Sequence, residues 1–419
     1  MSTPNIYKVK KAILYERLND GSPKRTIEEH INILQETNTQ LVLRAYFRWI
    51  PFLDNCDIFT DPLYKEICIQ QGFTFDEVSN LNSQIKTSIP DILIIGAIPA
   101  QRIHKNAIGS IGDYNEYTNE FLSPIQTEAL ALDPLKWGIL SPTKIELQNS
   151  LVLLSGLGED AWYPDLSLPN TQNLLLGWAK RQIDSGVDGI WIDMLFYQTI
   201  VMYNTTNDIN HPSVLDSFNA ANKLIDDIHT YGNSIGKYIY VGTWASAAVI
   251  YKQLKIVQDI LVPNLDFLTV TPRATEVLNQ QIDTILWDTT LTDIRNIYPT
   301  TPIFSFIDST DDNAPIAIFS QKLTTEQQNQ FLVTLDNFFK SRNIIFAYPV
   351  HGLYLGQTAT KLAYGQYSWY DSKAPEFDTY KTIKKLINPQ ITPSNSNEIL
   401  IATALILGYI FLSKHKTNN

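Results

Sequence analysis

Among the 419 residues of this chain, the one best placed to do chemistry is Asp193. It closes the strand inside GWAKRQIDSGVDGIWIDMLFY (177 to 197), where a helical stretch and a glycine turn lead into an apolar run. An apolar strand gains nothing from a charge unless that charge has a partner or a task, because burying a carboxylate is costly. A carboxyl group in such a place can donate a proton, accept one, or attack as a nucleophile. The structural alternative is a carboxylate that caps the next segment or anchors a loop through backbone N–H groups. Asp188 lies in the turn entering the same strand and reads as structural.

The elements that must position Asp193 follow from short apolar runs rich in Ile, Val and aromatics. These are KAILY (11 to 15), QLVLRAYF (40 to 47), DILIIGAI (91 to 98), GIWIDML (189 to 195), YIYVGTW (238 to 244), DFLTVT (266 to 271), PIFSFID (302 to 308) and NIIFAYP (343 to 349). Longer stretches of helical periodicity separate them, the alternation of a parallel sheet with crossover helices. Eight strands predict an α/β fold, a (β/α)8 TIM barrel spanning residues 1–387, with its site at the C-terminal ends of the strands. Helix signals agree. Thr26 caps a helix with Ile27, Ile31 and Leu34 on one face, Asn170 precedes LLLGWAKRQI, the stretch from Ser213 ends in Gly232, and TTEQQNQFLVTLDNFFKS opens with Thr and Glu at capping positions. Residues 104–169 are too long for a plain connection and predict an elaborated loop before strand four, with Glu159, Asp160, Trp162, Tyr163 and Asp165 bordering a subsite.

The run WYPDLSLPN, a helix containing LLLGWAKRQIDSG, and then VDGIWIDM form a D-x-S-x-P turn and helix leading into a GxDGxxxD strand. Over about residues 150–197 this resembles glycoside hydrolase barrels of the endo-α-1,4-polygalactosaminidase-like and melibiase-like kinds. The resemblance implies a glycosidase in which Asp193 is the nucleophile or an essential carboxylate. No second family motif is matched, so the partner must be sought by position.

Glycoside hydrolysis needs two carboxyl groups flanking the scissile bond, one to protonate the leaving oxygen and one to attack or activate water. Asp308, closing PIFSFID, and Glu276, after strand six, are equal candidates. Their bland readings are a turn acid in DSTDD and a first-turn helix acid favoured by the dipole. Further strand-end residues expected to bind substrate are Glu16, Arg44, Trp244, Arg273, Tyr348 and His351, with Arg17 and Arg48 beside them. Arg44 in LVLRAYF is expected to enter the barrel mouth and pair with a carboxylate such as Glu16, which a buried structural ion pair would explain equally well. Trp244 reads as a sugar platform or as core.

Composition narrows the choice. With 32 Lys and Arg against 43 Asp and Glu, the net charge of -11 would repel phosphate backbones, so nucleic acid is not an expected partner. The six histidines have no paired spacing, so no metal is expected. No Gly-rich phosphate loop follows the late strands and no lysine ends a strand, so no cofactor is called for. Cys56 and Cys68 fit a lone disulfide or two buried thiols.

Residues 388–398 read as a polar linker, 399–412 as a hydrophobic membrane anchor, short at fourteen residues, and 413–419 as a basic tail. The lysines of that tail favour a cytoplasmic C-terminus with the barrel on the extracytoplasmic side, the reverse of what tail-anchored insertion would give. The function expected is hydrolysis of a polysaccharide or glycan by two-carboxylate catalysis. The alternative is a catalytically inactive, surface-anchored carbohydrate-binding or structural barrel.

Overall fold

The computed structural model describes residues 5–16, 18, 25–48, 56–58, 62, 65, 74–106, 112–155 and 159–389. Eight parallel strands carry the fold: β1 (Ala12–Tyr15), β2 (Leu41–Leu43), β3 (Leu93–Pro99), β4 (Gly189–Asp193), β5 (Tyr240–Trp244), β6 (Phe267–Val270), β7 (Ile303–Ser305) and β8 (Ile345–Tyr354). Each pairs with its sequence neighbour, and β1 pairs with β8, Ala12 opposite Ala347, so the sheet closes into the (β/α)8 barrel. A short strand β9 (Trp369–Asp371) adds to β8 in antiparallel sense. All eight apolar runs of the sequence are barrel strands, because strands covered on both faces read as continuous rather than alternating hydrophobic stretches.

The crossover helices begin where local chemistry satisfies their first N–H groups. Capping boxes pair Thr26 with Glu29, Thr74 with Glu77 and Thr324 with Gln327. Two boundaries differ from the sequence reading. The helix before β4 starts at Pro169, with Leu168 as N-cap, because proline at the first position fixes φ and gives up an N–H that would be unbonded anyway. The helix after Pro212 continues through Gly232 to Ser234, with Gly232 packed so close to Ile239 and the Lys237 carbonyl that a Cβ would clash.

Between β3 and Pro169 the chain forms two short antiparallel pairings, 103–104 with 161–162 and 114–115 with 120–121, and helices Pro124–Ala129 and Lys144–Ser155. Arg48 pins this region from within: it is buried, its Nε donates to Glu116, its Nη2 to Asp113 at 2.8 Å, and its guanidinium lies 3.5 Å from the Trp178 ring centre. It is therefore a buried structural cation. Burial pushes the Glu116 carboxyl up to about 7 against the pull of Arg48.

At the opposite face, Asp188 accepts from Lys86 Nζ at 2.6 Å and from the Ile94 N–H, the structural role expected of it. Cys56 stands in a disulfide, while Cys68, Arg17 and residues 390–419 lie outside the described residues. The expected anchor 399–412 and nearly all of the linker are therefore among them. Among the described residues no helix is long and apolar enough to cross a membrane.

Candidate functional site

Strand β4 delivers Asp193 to the C-terminal mouth, opposite Pro99 of β3, and the backbone then turns sharply, with Met194 at φ 54°. The Asp193 carboxyl is 6% exposed and sits between two neutral donors. Trp244 Nε1, at the end of β5, donates to Oδ1 at 2.6 Å, and Gln101 Nε2, just past β3, donates to Oδ2 at 2.8 Å. Burial pushes its pKa up to about 6, Arg44 pulls against that rise, Asp308 adds to it, and the Trp244 and Gln101 hydrogen bonds oppose it. A carboxyl held in this range can give up or take a proton near neutrality.

Arg44 organises the other carboxylates. It follows β2 in the left-handed region, φ 55°, a conformation that costs an arginine on the order of 1–3 kcal/mol and persists only when the surroundings impose it. Those surroundings are specific. Nη2 binds Glu16 Oε1 at 2.9 Å, Nη1 binds Asp308 Oδ1 at 2.9 Å, and Cζ lies 4.5, 4.6 and 5.0 Å from the ring centres of Phe47, Trp191 and Phe306. A planar guanidinium is the cation that can be stacked and forked at once. Trp191 in turn donates to Thr269 Oγ1 at 2.9 Å and meets Trp244 edge-on. The mouth thus joins Asp193, Asp308, Glu16, Arg44 and Trp244 in one network. The expected pairing of Arg44 with Glu16 is present, and Asp308 shares the same fork.

The other candidates are placed differently. Glu276 is buried, but it serves its own helix: its carboxylate accepts from the Arg273 N–H at 2.8 Å, the Asp283 N–H at 2.8 Å and Trp287 Nε1 at 3.1 Å. It occupies the third position of helix Ala274–Asn279 and ties that helix to the next, the geometry of a capping acid. Replacing Glu276 by Ala strands three buried or capping donors. Loss of stability by about 1–3 kcal/mol in urea unfolding, with kcat retained, is expected.

Tyr348 does not reach the mouth either, because its hydroxyl donates to Asp336 on helix Thr325–Lys340, in the layer outside the barrel. His351 is buried, its Nδ1 2.8 Å from Asp371 Oδ2, and Asp371 also receives Arg25 at 2.5 Å. Burial pushes the Asp371 carboxyl up, but His351 and Arg25 together outweigh it and hold the group down at about 2. In both, the polar atoms named are engaged in buried contacts within the protein. Arg273 is half exposed, pairs with Glu276 and Asp283, and borders the same cleft as Trp244.

In the segment before strand four, Asp165 is buried and structural, accepting from Lys136 and Gln198, and Asp160 pairs with Arg102. Tyr163 is fully buried beside Tyr197, close enough to Asp193 for its charge to be felt. Gln101 is the residue the sequence reading missed; a polar side chain two places beyond the last residue of β3 is the signal that points to it. Among the described residues no group of three or more His, Cys, Asp and Glu stands where it could hold a metal ion.

No protein-family model matches this chain, and no curated protein matches it in sequence. Among solved structures it is similar to the glycoside hydrolase domain of PelA from Pseudomonas aeruginosa at 10% identity, covering 80% of this chain and 92% of that one, with a TM-score of 0.39. It is similar to the gamma-CGTase of alkalophilic Bacillus clarkii at 13% identity, covering 92% of this chain and 56% of that one, with a TM-score of 0.49. The cyclic alpha-maltosyl-(1→6)-maltose hydrolase of Arthrobacter globiformis gives 11% identity, 92% and 83% coverage, and a TM-score of 0.47. These are likenesses of architecture.

Proposed function

We propose that the chain is a glycosidase acting on a polysaccharide or glycan. The observation that carries this reading is the buried Asp193 carboxyl, raised to about 6, set in one network with two further carboxylates that share the Arg44 fork at the barrel mouth. In this reading Asp193 donates a proton to the leaving glycosidic oxygen. Asp308, the more exposed of the Arg44-bound pair at 14% of its side chain against 7% for Glu16, attacks the anomeric carbon or activates water. Arg44 positions that carboxylate and balances its charge, and Trp244 both orients Asp193 and offers the edge of an aromatic platform.

The test is release of reducing ends from a panel of polysaccharides by the full chain. Asp308→Asn is expected to lower kcat by about 10²–10⁴-fold, the range for removing an acid–base or nucleophilic group, while Glu16→Gln acts less severely. Equal activity of Asp308→Asn and the parent would remove Asp308 from the mechanism.

The placement that accompanies this reading is a barrel tethered through 399–412 on the extracytoplasmic side of a membrane. Full-length protein is then expected in the membrane fraction, and protein ending at residue 389 in the soluble one. Equal partition of the two would set the tether aside.

A further inference from the structure

The Trp244 ring does more than hold Asp193. It also forms part of the wall of a cleft of about 460 Å³ at the same end of the barrel. Met194 after β4, Ile200 of helix Tyr197–Thr206, Val270 of β6, and Leu286 and Trp287 of helix Thr284–Ile297 supply its apolar side chains together with Ala245. Of the polar side chains that reach it, Thr269, Thr271, Arg273 and Thr290 are engaged with the protein itself, while the Tyr197 and Ser246 hydroxyls make no hydrogen bond among the described residues. Arg273 binds Glu276 and Asp283, the Thr271 hydroxyl donates to the Pro272 carbonyl and accepts from the Asp308 N–H, and the Thr290 hydroxyl donates to the Leu286 carbonyl.

A sugar ring seated there would give up hydrogen bonds to water and find few partners to replace them. Alkyl or aryl surface would instead leave water against a wall of its own kind. The wall is continuous with the residue that holds Asp193, so a group lying in it can be covalently joined to the sugar whose glycosidic oxygen faces that carboxyl.

We infer that this cleft receives an apolar alkyl or aryl aglycone, so that the glycans the chain cleaves include those joined to an apolar alcohol. The inference rests on the glycosidase reading for the sugar half of the ligand and on the cleft alone for the apolar half. The reaction balances as glycoside plus water giving free sugar plus alcohol. The bond between the anomeric carbon and the glycosidic oxygen breaks, the Asp193 proton passes to the alcohol oxygen, the hydroxyl of water ends on the anomeric carbon, and the proton that water gives up is taken by a carboxylate of the mouth and restores the protonated Asp193.

The probes are n-octyl β-D-glucopyranoside, kept below its micellar concentration, and methyl β-D-glucopyranoside, titrated into the full chain while tryptophan fluorescence is read. The octyl glycoside is expected to bind at least tenfold more tightly than the methyl one. Ile200→Glu is expected to erase that preference. Leu286→Glu, at a partly exposed position, is a second variant in case the first fails to fold. Equal affinity for the two glycosides, or an octyl preference that survives a folded glutamate variant, overturns the proposal.

Failure of the broader reading looks different. A chain that prefers the octyl ligand, loses that preference in the variants and yet hydrolyses no glycoside keeps the apolar cleft and loses the glycosidase. A chain that hydrolyses glycans but is indifferent to the aglycone loses the cleft alone.

Discussion

Asp193→Asn is expected to lower kcat on a hydrolysed glycan by at least about 10³-fold while leaving the fold intact, within the range for removing a general acid or a nucleophile. The substitution is nearly isosteric, and its surroundings can accept it. The amide oxygen takes over the bond from Trp244 Nε1, and the new NH2 meets Gln101, whose Oε1 makes no hydrogen bond among the described residues and can turn to receive it. Circular dichroism and urea unfolding should therefore report a native variant. Activity of the parent should fall as pH rises through about 6, because the proton to be donated is lost there.

The same carboxyl has a signature in stability. Its folded pKa, about 6, lies above its ordinary 3.8, so the folded state holds the proton more tightly than the unfolded chain does. The resulting stabilisation is full below about pH 4 and is lost as pH rises through about 6, amounting to roughly 3 kcal/mol at most. Asparagine cannot titrate. The stability of Asp193→Asn relative to the parent should accordingly improve between pH 4 and pH 7, and a flat difference across that window would mean that the parent carboxyl is not raised.

Arg44→Met is expected to be the most destabilising single change at the mouth. Methionine keeps apolar contact with Phe47, Trp191 and Phe306, but Glu16 and Asp308 lose the cation that both bind at 2.9 Å. Breaking a buried pair from one side leaves charge uncompensated and costs about 3–5 kcal/mol, against a net stability of about 5–15 kcal/mol for a typical domain. The left-handed backbone at residue 44 would also lose the contacts that hold it there. Arg44→Lys should recover little, since one ammonium on a flexible stem cannot fork to two carboxylates and stack against three rings. Without the guanidinium Asp193 loses the charge that pulls its pKa down, so any residual activity should fall away at a higher pH than in the parent. Equilibrium unfolding in urea and a pH–rate profile measure the two effects.

The strands were legible because burial on both faces writes itself as unbroken apolar runs, and Asp193 was legible because a carboxylate is out of place in one. Arg44 stood out for the same reason. Facing direction at strand ends was not legible. Register shifts between Leu14 and Tyr15 in the β1–β8 pairing, and between His351 and Leu353 where β9 joins, so counting alternate residues from the strand centre does not tell which side His351 takes. The choice between Asp308 and Glu276 was equally closed, since it depends on a guanidinium delivered from β2, 264 residues away from Asp308 in sequence. Gln101 carries no charge to draw the eye, and the left-handed turns at Arg44 and Met194 fall on residue types that give no sign of them.

The most direct test of the central claim is a carboxyl titration of Asp193 by carbon-13 NMR, with its resonance identified by its loss in Asp193→Asn. A carboxyl that titrates near 6 in the parent, and higher still in Trp244→Phe, where one hydrogen bond to it is gone, is the predicted result. A carboxyl that titrates near 3.8 and ignores Trp244 would contradict it, leaving the mouth of the barrel a place to bind a ligand and not to cleave one.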